Sequence, residues 1–194
     1  TSSRFTKASG QLRSARVAGA DGVALFVVDK AAAGLRLRGY PTQDGARAAD
    51  LVLADTPATL LSRDGLAALE HAADVAIAAL CAEGVGLMDR MLAITVDYMH
   101  QRKQFGVPLA TFQALRHRIA DVKMQLELGR SMSYFASLKL GEPAESRRRA
   151  LAQAKVQLGN SMRFVGQQCT QIHGGIGVTD EYISSHYFKR MTVI

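Results

Sequence analysis

Cysteine is scarce in this sequence, with two in 194 residues. That excludes a disulfide scaffold and a cysteine-rich zinc module, and makes a reducing, cytoplasmic setting the expectation. No run of about 18 apolar residues occurs. The longest candidate, 75–88, is interrupted by Glu83 and surrounded by charge, so no transmembrane helix is expected. Residues 1–10 are polar and lack the apolar segment of a secretory leader. Metal-ligand spacing is missing too. His71, His100, His117, His173 and His186 are scattered, with neither HExxH nor CxxC. There is no GxSxG elbow and no P-loop. Internal repeats and low-complexity tracts are absent. Cys81 and Cys169 fall among small or apolar residues of predicted helices and read as buried, inert thiols.

What is present suits one or two ordinary soluble domains with a real core: 48% hydrophobic and 21% charged residues. Starting at Thr1 and stopping at Ile194, the sequence reads as a fragment or the ordered part of a longer chain. Lysine and arginine number 24 against 17 acids, a formal charge of +7. Such a balance permits nucleic acid, an anionic surface or a phosphate-rich ligand. The positive residues are spread along the chain, however. The one dense run, Arg147-Arg148-Arg149, has no interleaved aromatics and reads as a solvated helix face. Nucleic-acid binding is therefore not expected.

The chain changes character near residue 62. Before it, 22–29, 35–40 and 48–56 read as strands with turn chemistry at 41–45. This part looks like the end of an antiparallel sheet and is too small to stand alone. After it, the apolar spacing predicts helices over about 65–103, 112–140 and 144–173, and a fourth from 181 to at least 191. Asp64 is placed to cap the first, and Thr179 or Asp180 the last. Gly84 and Gly86 cost helix propensity and suggest close helix packing. Long helices with short loops predict an up-down bundle.

Two segments stand out. Gln101-Arg102-Lys103-Gln104-Phe105-Gly106 leads into Phe112-Gln113 across a Gly- and Pro-containing break. Arg102 at a helix end suits the helix dipole. Arg102, Gln104 and Gln113 equally offer donors for a phosphate or a polar heterocycle. The second segment is Gln171-Ile172-His173-Gly174-Gly175-Ile176-Gly177. Its glycines mark a C-cap, or let a ligand approach the backbone. The segment follows a helix rather than a strand, so it is no dinucleotide fingerprint of the Rossmann kind.

In this order and spacing, 102–106, 112–113, 171–177 and then Asp180-Glu181-Tyr182 resemble the acyl-CoA dehydrogenase family. The resemblance covers about 62–194. It implies a mainly α fold: a C-terminal up-down four-helix bundle of the acyl-CoA dehydrogenase type (62–194), preceded by a partial antiparallel middle β domain (1–61). The strands of 20–56 look like that domain's tail, 1–19 match nothing clearly, and the family's N-terminal helical domain has no counterpart here. The resemblance further implies an extended FAD shared between subunits. Arg102 would meet the diphosphate, with Gln104 and Phe105 the next contacts on that turn. Gln113 would face the adenine half, and Gln171, Gly174 and Gly175 would lie along the cofactor. Such a chain is expected in a homo- or hetero-oligomer, commonly a dimer of dimers. Its substrate would be an acyl-CoA, and its electron acceptor electron-transfer flavoprotein.

The family's reaction is α,β-dehydrogenation of an acyl-CoA thioester, begun by a glutamate that removes the α proton. One family position for that glutamate corresponds to Ala76, which cannot act as a base; Ile77 follows where an arginine is frequent. The other position lies after the fourth helix and outside these residues. Asp74 and Glu70 read as exposed helix carboxylates, about 200° and about 240° around the helix from Ala76. No catalytic base is thus identified. The segments 80–85 and 186–191 look like an actinobacterial branch, linked to steroid side-chain breakdown, whose heteromers pair a base-bearing subunit with one lacking it. Two roles follow from the resemblance: a dehydrogenase subunit whose base comes from elsewhere, or a silent partner that completes FAD sites.

Overall fold

The computed structural model describes residues 10–15 and 22–194, with side chains from 22 onward. The described chain divides into two compact units, 1–42 with 46–72, and 43–45 with 73–194.

In the first unit, β1 (Gly10–Ala15), β2 (Ala24–Asp29) and β5 (Thr59–Ser62) form an antiparallel sheet with β2 in the middle. Leu12 pairs with Val27, and a register shift interrupts the β2–β5 ladder between Leu25 and Phe26. Strands β3 (Leu35–Pro41) and β4 (Arg47–Leu53) form a separate hairpin in which Leu37 faces Leu51. The three strands expected from the sequence are β2, β3 and β4: β2 starts two residues later, β3 runs on through Pro41, which was expected in the turn, and β4 starts at Arg47 and stops at Leu53. Strands β1 and β5 were not expected. Each is short and weakly alternating, and is specified by its partner β2 rather than by its own pattern.

The helices are α1 (Leu66–Gln101), α2 (Gln113–Leu138), α3 (Ala144–His173) and α4 (Ile183–Val193). None of the described helices is long and apolar enough to cross a membrane. Two of the predicted caps are wrong. The N–H of Leu69 bonds the carbonyl of Gly65 at 2.9 Å, so Gly65 rather than Asp64 starts α1. Leu25 fills the space where a Gly65 side chain would stand. At α4 the cap position is Tyr182, without a side-chain cap bond. Asp180 is engaged instead by Lys189, and Thr179 Oγ1 donates to the Ile176 carbonyl at 2.9 Å.

Apolar and small residues recur at alternate spacings of three and four. Along α1 the buried set includes Ala78, Cys81, Val85, Met88, Thr95 and Met99. Along α2 it is Val122, Leu126, Gly129, Ser133 and Ala136. Along α3 it includes Leu151, Ala154, Leu158, Ser161, Val165 and Cys169. A stripe of that period keeps helices facing one another over several turns. The seam is closed by methionines seated on glycines. A Cβ on Gly84 would lie 2.7 Å from Met162 Sδ, and one on Gly129 2.8 Å from Met88 Cε. Gly166 receives the ring of Phe188 from α4 in the same way. Gly86, expected to share this role, faces open space. Each fully buried Met or Leu contributes about 1.5–3 kcal/mol.

Both cysteines are fully buried in the seam. Burial pushes the Cys169 thiol up to about 11 and raises that of Cys81 as well. The inert reading holds. The arginine run does not behave as one solvated face. Arg147 Nε reaches Asp74 Oδ2 at 2.6 Å, with both side chains nearly buried, and its Nη1 donates to the Glu142 carbonyl at 3.0 Å. Asp74 is therefore not the exposed carboxylate expected. It ties the start of α1 to the start of α3. Arg149 stays exposed.

Removing one partner of a buried pair strands the other's charge. Asp74→Ala is expected to cost about 3 kcal/mol of unfolding free energy, measured by urea titration, and a second change, Arg147→Met, recovers most of it. Native protein at about pH 8 should leave Cys81 and Cys169 unlabelled by an alkylating reagent, since each thiol is buried and protonated. Rapid labelling would show the seam to be open.

Candidate functional site

An up-down arrangement returns the C-terminal ends of α1 and α3 to the same end of the bundle. The Tyr98 hydroxyl of α1 lies 3.3 Å from the His173 carbonyl of α3. The two segments singled out in the sequence leave from these helix ends.

The first is a two-residue hairpin. Strands β6 (Lys103–Gln104) and β7 (Val107–Pro108) pair, with Phe105 and Gly106 at the tip. Both tip residues have positive φ, +55° and +82°, as a primed turn of right-handed twist requires. Phe105 is unusual there, since a non-glycine residue in this region costs about 1–2 kcal/mol. Phe105 is 91% exposed, and its ring meets that of Phe112 edge-on, with centroids 6.1 Å apart. Arg102 sits at the helix end as expected. Its N–H bonds the Tyr98 carbonyl at 2.8 Å, and its own carbonyl accepts the Leu109 N–H at 2.9 Å. The backbone at Arg102 is thereby fixed while its side chain is exposed. A 3₁₀ turn, Leu109–Thr111, then leads to Gln113, the first residue of α2, also exposed. Arg102, Gln104, Phe105 and Gln113 thus share one solvent-facing corner.

The second segment is the 3₁₀ turn Gly174–Val178 that ends α3. Gly174 has φ +66°, which glycine adopts without strain, so the C-cap reading holds. Glycine at 174 and 175 is not required by packing, because a Cβ at either would meet nothing. Gly177 differs. A Cβ there would lie 2.8 Å from the Thr170 carbonyl oxygen and 2.9 Å from His173 Cβ. Gln171, Gly174 and Gly175 line a groove of about 530 Å³ with Gln167, Thr170 and Phe188. The Thr170 hydroxyl, on that lining, is buried and has no hydrogen-bond partner.

A larger groove, about 740 Å³, lies beside the hairpin and is walled by Met99, Pro108, Ile119, His100 and Arg116. The two grooves share no lining residue. The site residues therefore fall into two clusters at one end of the bundle rather than one pocket. The donor set fits a dinucleotide: an exposed guanidinium, an open glycine concavity, and an orphaned buried hydroxyl on its wall. Sequence reasoning missed Tyr98 and Thr170. Tyr98 lies one helical turn before Arg102, and that spacing was the available signal.

Ala76 exposes only its methyl group. Asp74 is committed to Arg147. Among the described residues no cluster of His, Cys, Asp or Glu could hold a metal ion. Asp74, the acidic residue nearest Ala76 along α1, is thus not free to act as a base.

Comparison with known proteins bears on the whole arrangement. The family model for the acyl-CoA dehydrogenase C-terminal domain matches residues 63–194. Acyl-CoA dehydrogenase IpdE2 of Mycolicibacterium smegmatis is 33% identical over 150 residues, covering 77% of this chain and 44% of that protein. Among solved structures, a variant of the Tcur3481–Tcur3483 steroid ACAD is 33% identical with a TM-score of 0.84, covering 97% of this chain and 51% of that one. PigA, solved with FAD and proline, is 27% identical with a TM-score of 0.76, over 88% of this chain and 46% of that one. The chain spans about half the length of the proteins it matches. With the helical bundle, the hairpin and the glycine turn all in place, this chain belongs to the acyl-CoA dehydrogenase family.

Proposed function

We propose that this chain is part of an FAD-dependent acyl-CoA dehydrogenase subunit, with 1–61 the tail of a middle β domain and 62–194 the C-terminal bundle domain. It supplies one side of a composite cofactor site in a homo- or hetero-oligomer, and its catalytic base lies outside these residues. The single observation that carries the reading is the hairpin tip. Phe105 holds a strained left-handed backbone and leaves its aromatic ring largely exposed, an arrangement that suits a surface covered by something else.

On this reading Arg102 offers a fixed charge to the diphosphate, and Gln104, Gln113 and Gln171 offer amides to polar edges. Phe105 packs beside the cofactor. Gly174 and Gly175 let it run close to the backbone. When bound, FAD accepts the substrate's β hydrogen as hydride. The acyl-CoA would be held largely by residues outside this chain's bundle, and electrons would pass on to an electron-transfer flavoprotein. That a similar structure is a steroid ACAD supports a bulky acyl group as the substrate class.

A second reading has its own support. Ala76 in place of a carboxylate, with Asp74 locked to Arg147, favours a silent subunit that completes FAD sites for a base-bearing partner.

Arg102→Ala in the intact protein is expected to weaken FAD at least about tenfold, the loss of one charge-assisted partner. The flavin-to-protein absorbance ratio reads this, and undiminished flavin would sink the assignment. Anaerobic addition of acyl-CoAs to the intact protein without a partner separates the two roles. Bleaching of the flavin band marks a complete dehydrogenase. Bound flavin that stays oxidised until a second subunit type is added marks the silent partner.

A further inference from the structure

Tyr98 touches both clusters of the candidate site. Its carbonyl accepts the Arg102 N–H at 2.8 Å, at the root of the hairpin. Its hydroxyl donates to the carbonyl of His173, the residue before Gly174, at 3.3 Å. That bond is longer than most of its kind, and ring contact adds to it. The Tyr98 and His173 rings are 4.7 Å apart, and Tyr182 lies 5.1 Å from His173 on another side.

His173 is 3% exposed. Its Nδ1 lies 2.8 Å from the Cys169 carbonyl. A carbonyl only accepts, so Nδ1 carries the proton and Nε2 bears a lone pair. That Nε2 is buried without a partner. Gly177 packs close against it, since a Cβ at 177 would lie 2.9 Å from His173 Cβ. The imidazole is therefore clamped between α1, the end of α3 and the start of α4, with the cofactor-facing turn as the next residues in sequence.

We propose that Tyr98 and His173 are positioning residues that hold the Arg102 hairpin and the Gly174–Gly175 turn in fixed register, so that the two clusters act as one cofactor surface. This rests on the FAD reading above. It also makes the surface sensitive to pH. Among the described residues, the titratable groups facing the imidazole are Tyr98 from α1 and Tyr182 at the α4 cap; Asp97 of α1 acts on Tyr182. Burial lowers the His173 pKa from the ordinary 6.5. The neutral ring is thus the form the fold favours. The register is intact above the ordinary value and is lost as pH falls through the lower folded one. Protonation would place an N–H at Nε2 where no acceptor stands. The tyrosine faces soften the charge but accept no hydrogen bond in the plane of the ring.

The test is FAD titration by flavin fluorescence at about pH 8 and about pH 5.5, with amide hydrogen exchange of the FAD-free protein. Tyr98→Phe should weaken FAD about three- to tenfold at both pH values and raise exchange in both 103–108 and 174–178. Wild type should lose FAD affinity at the lower pH. His173→Phe, which keeps a ring between the tyrosines, should flatten that dependence. Tyr98→Phe with wild-type affinity and unchanged exchange would overturn the proposal, as would a pH dependence that survives His173→Phe. If wild type binds no FAD at either pH, the cofactor reading fails, and exchange decides the coupling alone. A rise in both segments supports it, and a rise in one or neither overturns it.

Discussion

The structure depends on how closely three helices approach along a seam of three–four spacing. Side chains on such a seam must interdigitate, and here the tightest places are methionines lodged over glycines: Met162 on Gly84 and Met88 on Gly129. Glycine in a helix costs about 1 kcal/mol of propensity. The cost is offset because the missing Cβ admits a long, adaptable side chain from the facing helix. The result is a seam tight enough to bury two cysteines completely.

Everything at the candidate site follows from where those helices stop. α1 and α3 end at the same end of the bundle, so segments far apart in sequence emerge together. Arg102, Gln104, Gln113 and Gln171 all stay exposed. The hairpin presents Arg102, Gln104 and Phe105 to solvent, and the glycine turn presents an empty concavity. On the proposed reading, the bundle end holds these donors in place as one side of a cofactor site shared with another part of the assembly.

Electrostatics divides the bundle into ends with different tasks. At the start of α1 and α3, Asp74 and Arg147 neutralise one another in a nearly buried pair. Elsewhere Arg190 of α4 holds Glu83 of α1 through two bonds, Nε–Oε1 at 2.6 Å and Nη2–Oε2 at 2.9 Å, which keeps that carboxyl below the usual carboxylate range. Two of the carboxylates on α1 are thus spent on packing helices together. Abstraction of an α proton needs a carboxylate that is free, and neither Asp74 nor Glu83 is.

The sequence by itself determined the fold class and the helix segments, and it singled out the two segments of polar and glycine residues. α3 was legible end to end, because a proline turn starts it and Gly174 at φ +66° stops it, and both signals are local. The inert cysteines were legible for the same reason: their neighbours along the helix are apolar. Only the tertiary structure decided the rest. β1 and β5 exist because β2 offers them ladder partners. Asp74 looked exposed because its partner lies far along the chain on another helix. Gly84 and Gly86 look alike in sequence, yet one faces Met162 and the other faces nothing. Tyr98 gained its place between Arg102 and His173 only when α1 and α3 were laid side by side. Local signals are set by covalent neighbours and survive in the sequence. Burial, ion pairing and coupling between segments depend on which side chains meet across helices, and packing alone fixes that.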